Sequence, residues 1–419
     1  MHTRNVVLLI IVLIIITLGV FAFMYFRQPD IEIREEEGTN FIASFWPFGK
    51  DETKTPVETE TPSDVSGYEP EEEIQDTTIK LKKISSMPVA GYGVFMKERY
   101  GETEKELIPY VRYADRIYGN TYQTFADNID ERKFSSTIIP TLHEVFFGNG
   151  GESLIMRYLK EDGKTIETFA GSLPKEVLGG DTTKENELTG SYLPENISFV
   201  SISPNSSKLF YLFPIGEEII GTTAGMDGEN KIQVFDSAFT EWIPDWANDR
   251  MISLTTKPSA GVLGYMYAVD PLTKEFTKIL GDVNGLTTLT SPSGKLILYS
   301  DNNLSLNIFN RTTRETKGMA VRTLPEKCVW SNTADIIYCA VPKFVGSSFF
   351  PDTWYQGETS FSDEIWKIDA VNGNSTQLAD PSTIGTMEEI DAVNLQIDDT
   401  EKYIFFVNKK DSYLWMLEL

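Results

Sequence analysis

The residues best suited to chemistry lie in one aromatic and acidic segment, Lys343 to Asp363, with the sequence KFVGSSFFPDTWYQGETSFSD. Aromatic side chains at this density favour a protein interface or a platform on which sugar rings stack. The segment therefore predicts a ligand- or partner-binding site at Phe349, Phe350, Asp352, Trp354, Tyr355 and Phe361. The alternative is a loop that folds back and fills the centre of its own domain with these rings.

The same segment holds carboxylates that could in principle form the acid and base pair of a glycosidase: Asp352, Glu358, Asp363 and Glu364. The chain has 62 acidic residues, however, and scattered carboxylates in so acidic a protein are usually surface charge. Only two histidines occur, His2 and His143, which leaves few general bases at neutral pH and argues against a histidine-rich metal centre. The sequence predicts no enzyme, no catalytic residues, no cofactor and no metal.

The two cysteines, Cys328 and Cys339, flank a polar turn at residues 331–335. A simple hairpin around this turn places them opposite each other, with Cβ atoms about 4.5–5.5 Å apart. A disulfide needs about 3.5–4.5 Å, so slight adjustment suffices and we predict the bond. It requires an oxidising compartment. The alternative is two buried thiols that act as small apolar residues.

The elements that must position these residues form a repeat, which is clearest at Ser291 to Gly318. A tight turn precedes an apolar strand, a short loop, a second strand, a polar turn and an edge strand. Similar units follow apparent turns along the chain, from PVAGYG at residue 88 to DDTEK at residue 398. Their spacing is close to the blade length of a propeller, about 40–50 residues. The prediction is an all-β domain, a β-propeller of seven four-stranded blades, with six or eight as alternatives.

The ends of the domain predict how the ring closes. The last unit stops at SYLWMLEL, a third strand, and the strand-like stretch Thr78 to Ile84 can supply the fourth. This pairing would remove an exposed sheet edge, so we expect a monomeric propeller. Long loops are expected on one face, at Arg99 to Glu106, Pro214 to Asn230 and Lys343 to Asp363.

The N-terminal region predicts a membrane anchor on a stalk. Residues 6–26 carry no charge and are long enough to span a hydrocarbon core of about 30 Å. Residues 27–76 are acidic and rich in Thr, Pro and Glu, which predicts a disordered linker. The expected organisation is a cytoplasmic N-terminus at 1–5, an uncleaved signal anchor at 6–26, the linker, and an extracytoplasmic propeller at 77–419. The alternative to the anchor is a cleaved signal peptide.

Turns such as SPNSSKLFYLF and SPSGKLILYS resemble those of TolB-like and WD40-like propellers. Longer stretches, including VRYADRIYGNTYQTF and FPDTWYQGETSFSDEIWKID, are similar to uncharacterised membrane-anchored bacterial propeller proteins. The resemblance implies a fold and an anchor, and no activity.

The formal net charge of −25 repels a phosphate backbone, so nucleic acid is not expected as a partner. The function predicted from these observations is a non-catalytic protein-interaction or scaffold module of the cell envelope, held at the membrane by residues 6–26. The alternative is a glycan-binding or glycan-cleaving propeller that uses the loop 343–363.

Overall fold

The computed structural model describes residues 81–100, 105–135, 137–173, 188–384 and 388–419. The predicted anchor at 6–26 and linker at 27–76 lie outside the described residues. In the part that the structure describes, no helix is both long and apolar enough to cross a membrane.

Seven antiparallel sheets of four strands each make up the described chain. The chain begins with β1 (Leu81–Lys83), which belongs to the last sheet. Blade 1 comprises β2 (Val89–Tyr100), β3 (Lys105–Asp115), β4 (Thr121–Phe125) and β5 (Arg132–Lys133). Blade 2 comprises β6 (Leu142–Gly148), β7 (Ser153–Leu159), β8 (Ile166–Ser172) and β9 (Thr189–Tyr192). Blade 3 comprises β10 (Phe199–Ile202), β11 (Lys208–Ile215), β12 (Glu218–Gly225) and β13 (Ile232–Ser237).

The remaining blades continue in the same order. Blade 4 comprises β14 (Trp242–Asn248), β15 (Met251–Thr256), β16 (Leu263–Val269) and β17 (Phe276–Asn284). Blade 5 comprises β18 (Thr287–Thr290), β19 (Leu296–Ser300), β20 (Ser305–Asn310) and β21 (Thr316–Arg322). Blade 6 comprises β22 (Cys328–Trp330), β23 (Ile336–Pro342), β24 (Asp363–Asp369) and β25 (Ser375–Ala379). Blade 7 comprises β26 (Ala392–Ile397), β27 (Tyr403–Asn408), β28 (Leu414–Glu418) and β1.

The two ends of the domain meet in blade 7. Strand β1 pairs antiparallel with β28, with Leu81 opposite Leu417 and Lys83 opposite Trp415. The outer strand of the last blade thus comes from the start of the domain, which leaves β28 without an unpaired edge. This confirms the predicted seven-bladed propeller and its closure by the strand-like stretch that precedes the first blade.

The hydrophobic core lies between neighbouring blades, which explains why the second strands of the blades are rich in apolar residues, as β11 shows. In β11, Phe210 and Leu212 pack with Ile252 of blade 4. Their neighbours in sequence, Leu209 and Tyr211, are equally buried and face blade 2. Because successive side chains point to opposite faces and both faces are covered, the strand has no polar side to present.

The apparent first turn, PVAGYG, was interpreted wrongly from the sequence, because most of it forms the start of strand β2. Its glycines allow close packing between blades. A Cβ atom at Gly91 would lie 2.0 Å from the carbonyl oxygen of Val145 in β6, and one at Gly93 would lie 3.0 Å from the Cβ of Phe147. Glycine in a strand can mark such a close approach as well as a turn.

The order of strands divides the loops between two ends of the propeller. In each blade, the loop between the first and second strands and the loop between the third and fourth strands lie at one end of the propeller, which we call the turn face. The loop between the second and third strands and the connection to the next blade lie at the other end, which we call the connection face. Two of the expected long loops are wrong. Arg99 and Glu106 are paired residues of β2 and β3 at the turn face, and residues 101–104 lie outside the described residues. More than half of the stretch from Pro214 to Asn230 belongs to β11 and β12. The loop between β23 and β24 does lie on the connection face.

Cys328 and Cys339 are opposite each other in the register of β22 and β23, and a disulfide joins them. Both side chains are buried in the cluster between blades 5 and 6. Because the disulfide closes only a short loop, its contribution to stability should be modest, about 3 kcal/mol or less.

Removing the closing strand tests the ring. Deletion of residues 78–84 should lower the melting temperature of the propeller far more than deletion of residues 51–70, because the first change exposes the edge of β28. Differential scanning calorimetry of the two variants makes the comparison. Equal melting temperatures would contradict the closure.

The disulfide is tested by intact-mass measurement of protein isolated from the cells that naturally make it. Alkylation should add no mass before reduction and should modify Cys328 and Cys339 only afterwards, because the predicted topology puts the propeller in an oxidising compartment. Two thiols that alkylate freely without reduction would refute both the bond and that compartment.

Candidate functional site

The loop between β23 and β24, residues 343–362, folds back onto the propeller instead of extending from it. We call it the aromatic loop; it contains the short helix α1 (Asp352–Tyr355). The side chains of Phe350, Trp354 and Phe361 are only 2–3% exposed. They pack against Leu304 and Leu324 from the connections of blade 5. These three rings, predicted as binding residues, therefore form a local core with no surface for a partner, as in the fold-back alternative.

The remaining aromatic side chains of the loop face solvent. Phe344 is 80% exposed and Phe349 is 76% exposed, while Tyr355 is 40% exposed. Asp352 has a structural role, since its Oδ2 accepts a hydrogen bond of 2.6 Å from the backbone N–H of Ala260 in blade 4. The loop thus reaches from blade 6 across the connections of blade 5 to blade 4, and presents two phenylalanines on its outer side.

A buried ionic cluster anchors the aromatic loop to the ring. Lys327 lies in a 3-10 turn (Pro325–Lys327) just before β22, and its side chain is completely buried. Its Nζ lies 2.8 Å from Oδ2 of Asp363, at the end of the loop, and 2.5 Å from Oδ1 of Asp391, in the connection to blade 7. It also donates to the backbone oxygen of Ala392 at 2.9 Å. We call these three charged residues the Lys–Asp–Asp cluster.

Asp391 is the member of the cluster that holds the loop directly. Its carboxylate accepts hydrogen bonds from the indole N–H of Trp354 at 3.2 Å, the hydroxyl of Ser360 at 3.2 Å and the backbone N–H of Phe361 at 3.0 Å. Asn408 of blade 7 accepts from the backbone N–H of Asp391 at 3.0 Å. Asp391 therefore joins three parts of the ring: its carboxylate holds the loop and Lys327, and its backbone N–H holds Asn408 of the closing blade.

The pKa values of the two carboxylates of the cluster are shifted in opposite directions. Burial raises the pKa of Asp363 to about 6, although Lys327 opposes this. Burial also acts on Asp391, but the ammonium of Lys327 and hydrogen bonds from Phe361 and Trp354 outweigh it and lower its pKa. A raised pKa means that the folded state binds the proton more tightly than the unfolded chain. Ionisation of Asp363 therefore lowers the free energy of unfolding. This loss disappears as the pH falls through about 6 towards 3.8, the ordinary pKa of an aspartate.

Two further contacts press the helix of the loop onto the ring. The hydroxyl of Tyr355 donates to the carboxylate of Glu326. The ammonium of Lys409 lies 4.1 Å from the centre of the Trp354 ring and donates to that residue's backbone oxygen. A cation above the face of a tryptophan is attracted by the ring quadrupole.

The carboxylates considered for a glycosidase pair have mostly structural partners. Asp363 is buried against Lys327, Asp352 caps the backbone of blade 4, and Glu364 accepts from the indole of Trp366 at 3.0 Å. Glu358 is exposed. Among the described residues, no group of three or more histidine, cysteine or acidic side chains is placed to hold a metal.

The residues that sequence analysis missed are Lys327 and Asp391. They are separated by 64 positions and join only through the folded ring. A lysine in the sequence LPEKC carries no local pattern that distinguishes it from a surface lysine, so the cluster left no signal in the sequence.

Exposed apolar side chains collect on the connection face. Among the described residues, all but one of the exposed aromatic rings lie in loops or at strand ends on this face: Tyr118, Tyr192, Phe239, Phe344, Phe349 and Tyr355. Val262 and Leu263, next to the backbone that Asp352 caps, are also exposed there. The exception is Phe276, on the turn face. The connection face is therefore the candidate interaction surface.

The comparisons with known proteins support the fold class. The chain is similar to the crystal structure of an oligogalacturonate lyase from Vibrio parahaemolyticus, with 10% identity, a TM-score of 0.53, and 82% of this chain and 94% of that chain covered. An oligogalacturonate lyase in complex with manganese has 10% identity and a TM-score of 0.49, with 80% of this chain and 98% of that chain covered. The mitotic checkpoint complex has 11% identity and a TM-score of 0.48, with 87% of this chain and 99% of that chain covered. No protein-family model and no curated protein matches the sequence. The chain is a seven-bladed β-propeller, and its resemblance to TolB-like and membrane-anchored propellers stays a prediction.

The Lys–Asp–Asp cluster can be tested by removing its cation. Lys327→Met should lower the free energy of unfolding by about 3–5 kcal/mol, because two buried carboxylates lose their counter-charge. The matched control is Lys343→Met in the same loop. That lysine pairs with Asp380 at 2.6 Å at a partly exposed site, where an ion pair contributes only about 0–1 kcal/mol.

Urea unfolding at pH 7.5, where the ionised form of Asp363 predominates, measures both variants. If Lys327→Met were no more destabilised than Lys343→Met, the cluster would not anchor the loop.

Proposed function

We propose that the chain is a membrane-anchored, non-catalytic docking module outside the cytoplasm, whose connection face binds a protein partner of the cell envelope. The observation that carries the proposal is the pair Phe344 and Phe349. Both rings are more than three-quarters exposed, although the loop that bears them is fastened to the propeller by a buried ionic cluster.

The energetics favour a partner at this position. Burying a phenylalanine side chain contributes about 1.5–3 kcal/mol relative to leaving it in water. A partner that orders a loose loop loses part of this gain to conformational entropy, whereas a loop that is already held loses much less. Rigid, exposed aromatic anchors of this kind are typical of the residues that dominate protein interfaces.

The chain path supports an orientation for such a module. Strand β1 is antiparallel to β28, so Leu81 lies at the turn-face end of blade 7. The described chain therefore begins at the face opposite the aromatic loop. In this proposal residues 6–26 are the anchor, residues 27–76 are the linker, and the connection face meets the partner.

Glycan binding by the same loop is the second candidate, because Phe344 and Phe349 could also stack on sugar rings. The similar lyase is named for its action on oligogalacturonate, but at 10% identity the likeness extends to the fold alone. Protein docking is favoured over glycan binding, since Trp354 and Phe361 are buried and the carboxylates Asp352 and Asp363 have structural partners.

A photocross-linking amino acid placed at Phe349 in the full-length protein tests the proposal in native membranes. We expect a discrete cross-linked product of defined mass, lost when Phe344→Ser is added, because the two rings belong to one contact surface. The control places the same cross-linker at Leu272, which is 68% exposed on the turn face. No product at position 349, or the same products from both positions, would contradict docking at the connection face.

A further inference from the structure

A second feature lies at the opposite end of the propeller, where the inner strands of four blades line a pocket of about 320 Å³. Its walls come from the inner strands of blades 1, 2, 3 and 7, at the turn face. Ligand sites in proteins typically have volumes of about 300–1,000 Å³, so this pocket has room for one small molecule. We propose that it binds a neutral, polyhydroxylated ligand of the size of a single sugar ring.

The lining predicts a neutral ligand. None of the side chains that line the pocket is charged, in a protein whose net charge is −25. A charged ligand would lose water without gaining an opposite charge, which is costly in a partly enclosed site. The surrounding field would additionally repel an anion.

The chemistry of the walls predicts hydroxyl groups on the ligand. The half-buried rings of Phe95 in blade 1 and Phe146 in blade 2 line the pocket together with the polar side chains of Ser201 and Ser206 of blade 3 and Gln396 of blade 7. A wholly apolar ligand would strip water from these polar groups without replacing their hydrogen bonds. A sugar ring combines an apolar face for an aromatic ring with hydroxyls at its edge, and so fits both kinds of side chain.

Two of the polar groups keep hydrogen-bonding capacity for a ligand. Ser201 Oγ accepts from the backbone N–H of Trp246 at 2.8 Å, which leaves its own O–H as a donor. Gln396 accepts from the backbone N–H of Val94 and donates one of its two amide hydrogens to the oxygen of Tyr92, both at 3.3 Å. The second amide hydrogen is available.

The pocket is held in shape before a ligand arrives. The buried hydroxyl of Tyr92 donates to the backbone oxygen of Phe405 at 2.9 Å, which ties blade 1 to blade 7. The bonds of Gln396 tie the same two blades from the other side. Pre-formed walls reduce the entropy that binding must overcome. This site goes beyond the proposed docking function and lies on the other face, so either proposal can fail without the other.

Saturation-transfer NMR on the full-length protein in detergent micelles tests the proposal, with D-glucose, D-galactose and N-acetylglucosamine as probes. At least one should bind with a dissociation constant in the millimolar range. The charged analogues, galacturonate and glucosamine, should bind at least about tenfold more weakly because no wall residue compensates their charge.

Variants locate the binding. Val94→Trp should fill the pocket and weaken binding at least about tenfold, as expected when a ligand's cavity is occupied. The matched control, Val371→Trp, adds the same indole at a 62% exposed position between β24 and β25, away from the pocket, and should leave binding unchanged. Gln396→Glu serves as a second variant if Val94→Trp does not fold; it keeps the acceptor for Val94, introduces a charge, and should weaken binding similarly.

The proposal is supported if a neutral sugar binds, if both pocket variants weaken this binding, and if the control variant does not. The proposal is overturned if none of the three neutral sugars binds, if the charged analogues bind equally well, or if the folded pocket variant binds like the control.

Discussion

The ammonium group of Lys327, buried between two carboxylates, is the interaction on which the arrangement of the connection face depends. It joins the turn before blade 6, the end of the aromatic loop and the connection to blade 7 at one point. An apolar group of the same shape can be as stabilising as a buried ion pair, so such a cluster is weak evidence for stability alone. The cluster does fix the position of the aromatic loop. The hydrogen bonds to Asp391 determine where Trp354 and Phe361 lie, and the loop that they hold carries the exposed phenylalanines.

The ring itself supplies the rigid base for that cluster. Each blade is covered on its two faces by the two neighbouring blades, and the pairing of β1 with β28 completes the ring. Because the strands run alternately up and down, the loops separate into two independent surfaces. The connection face bears the aromatic loop and most of the exposed apolar side chains, while the pocket lies at the turn face. The proposed docking surface and the proposed ligand pocket are therefore separate.

The fold could be predicted from the sequence because it rests on local patterns. Apolar runs such as KLFYLF and KLILYS mark strands that are covered on both sides, and polar turns separate them. The closing strand was predictable from counting, since the last blade lacked one strand. Gly91 and Gly93 were misleading, because glycine is favoured both in turns and where two strands approach closely, and only the neighbouring blade distinguishes the two. The division of the aromatic rings between buried and exposed positions was beyond the sequence. Phe349 and Phe350 are neighbours of identical chemistry, yet one is 76% exposed and the other 2%.

Amide hydrogen exchange across the aromatic loop of the full-length protein tests the central claim most directly, because exchange reports local opening. If the cluster holds the loop, two amides should exchange as slowly as the core strands of blade 6: that of Phe361, bonded to Asp391, and that of Asp363, bonded to the backbone of Ile390 at 2.8 Å. In Lys327→Met they should exchange much faster, while the strands of blades 2 and 3 keep their protection. Fast exchange of these amides in the unmodified protein, at the rate of an open surface loop, would contradict the claim that a buried ionic cluster holds the aromatic loop in place.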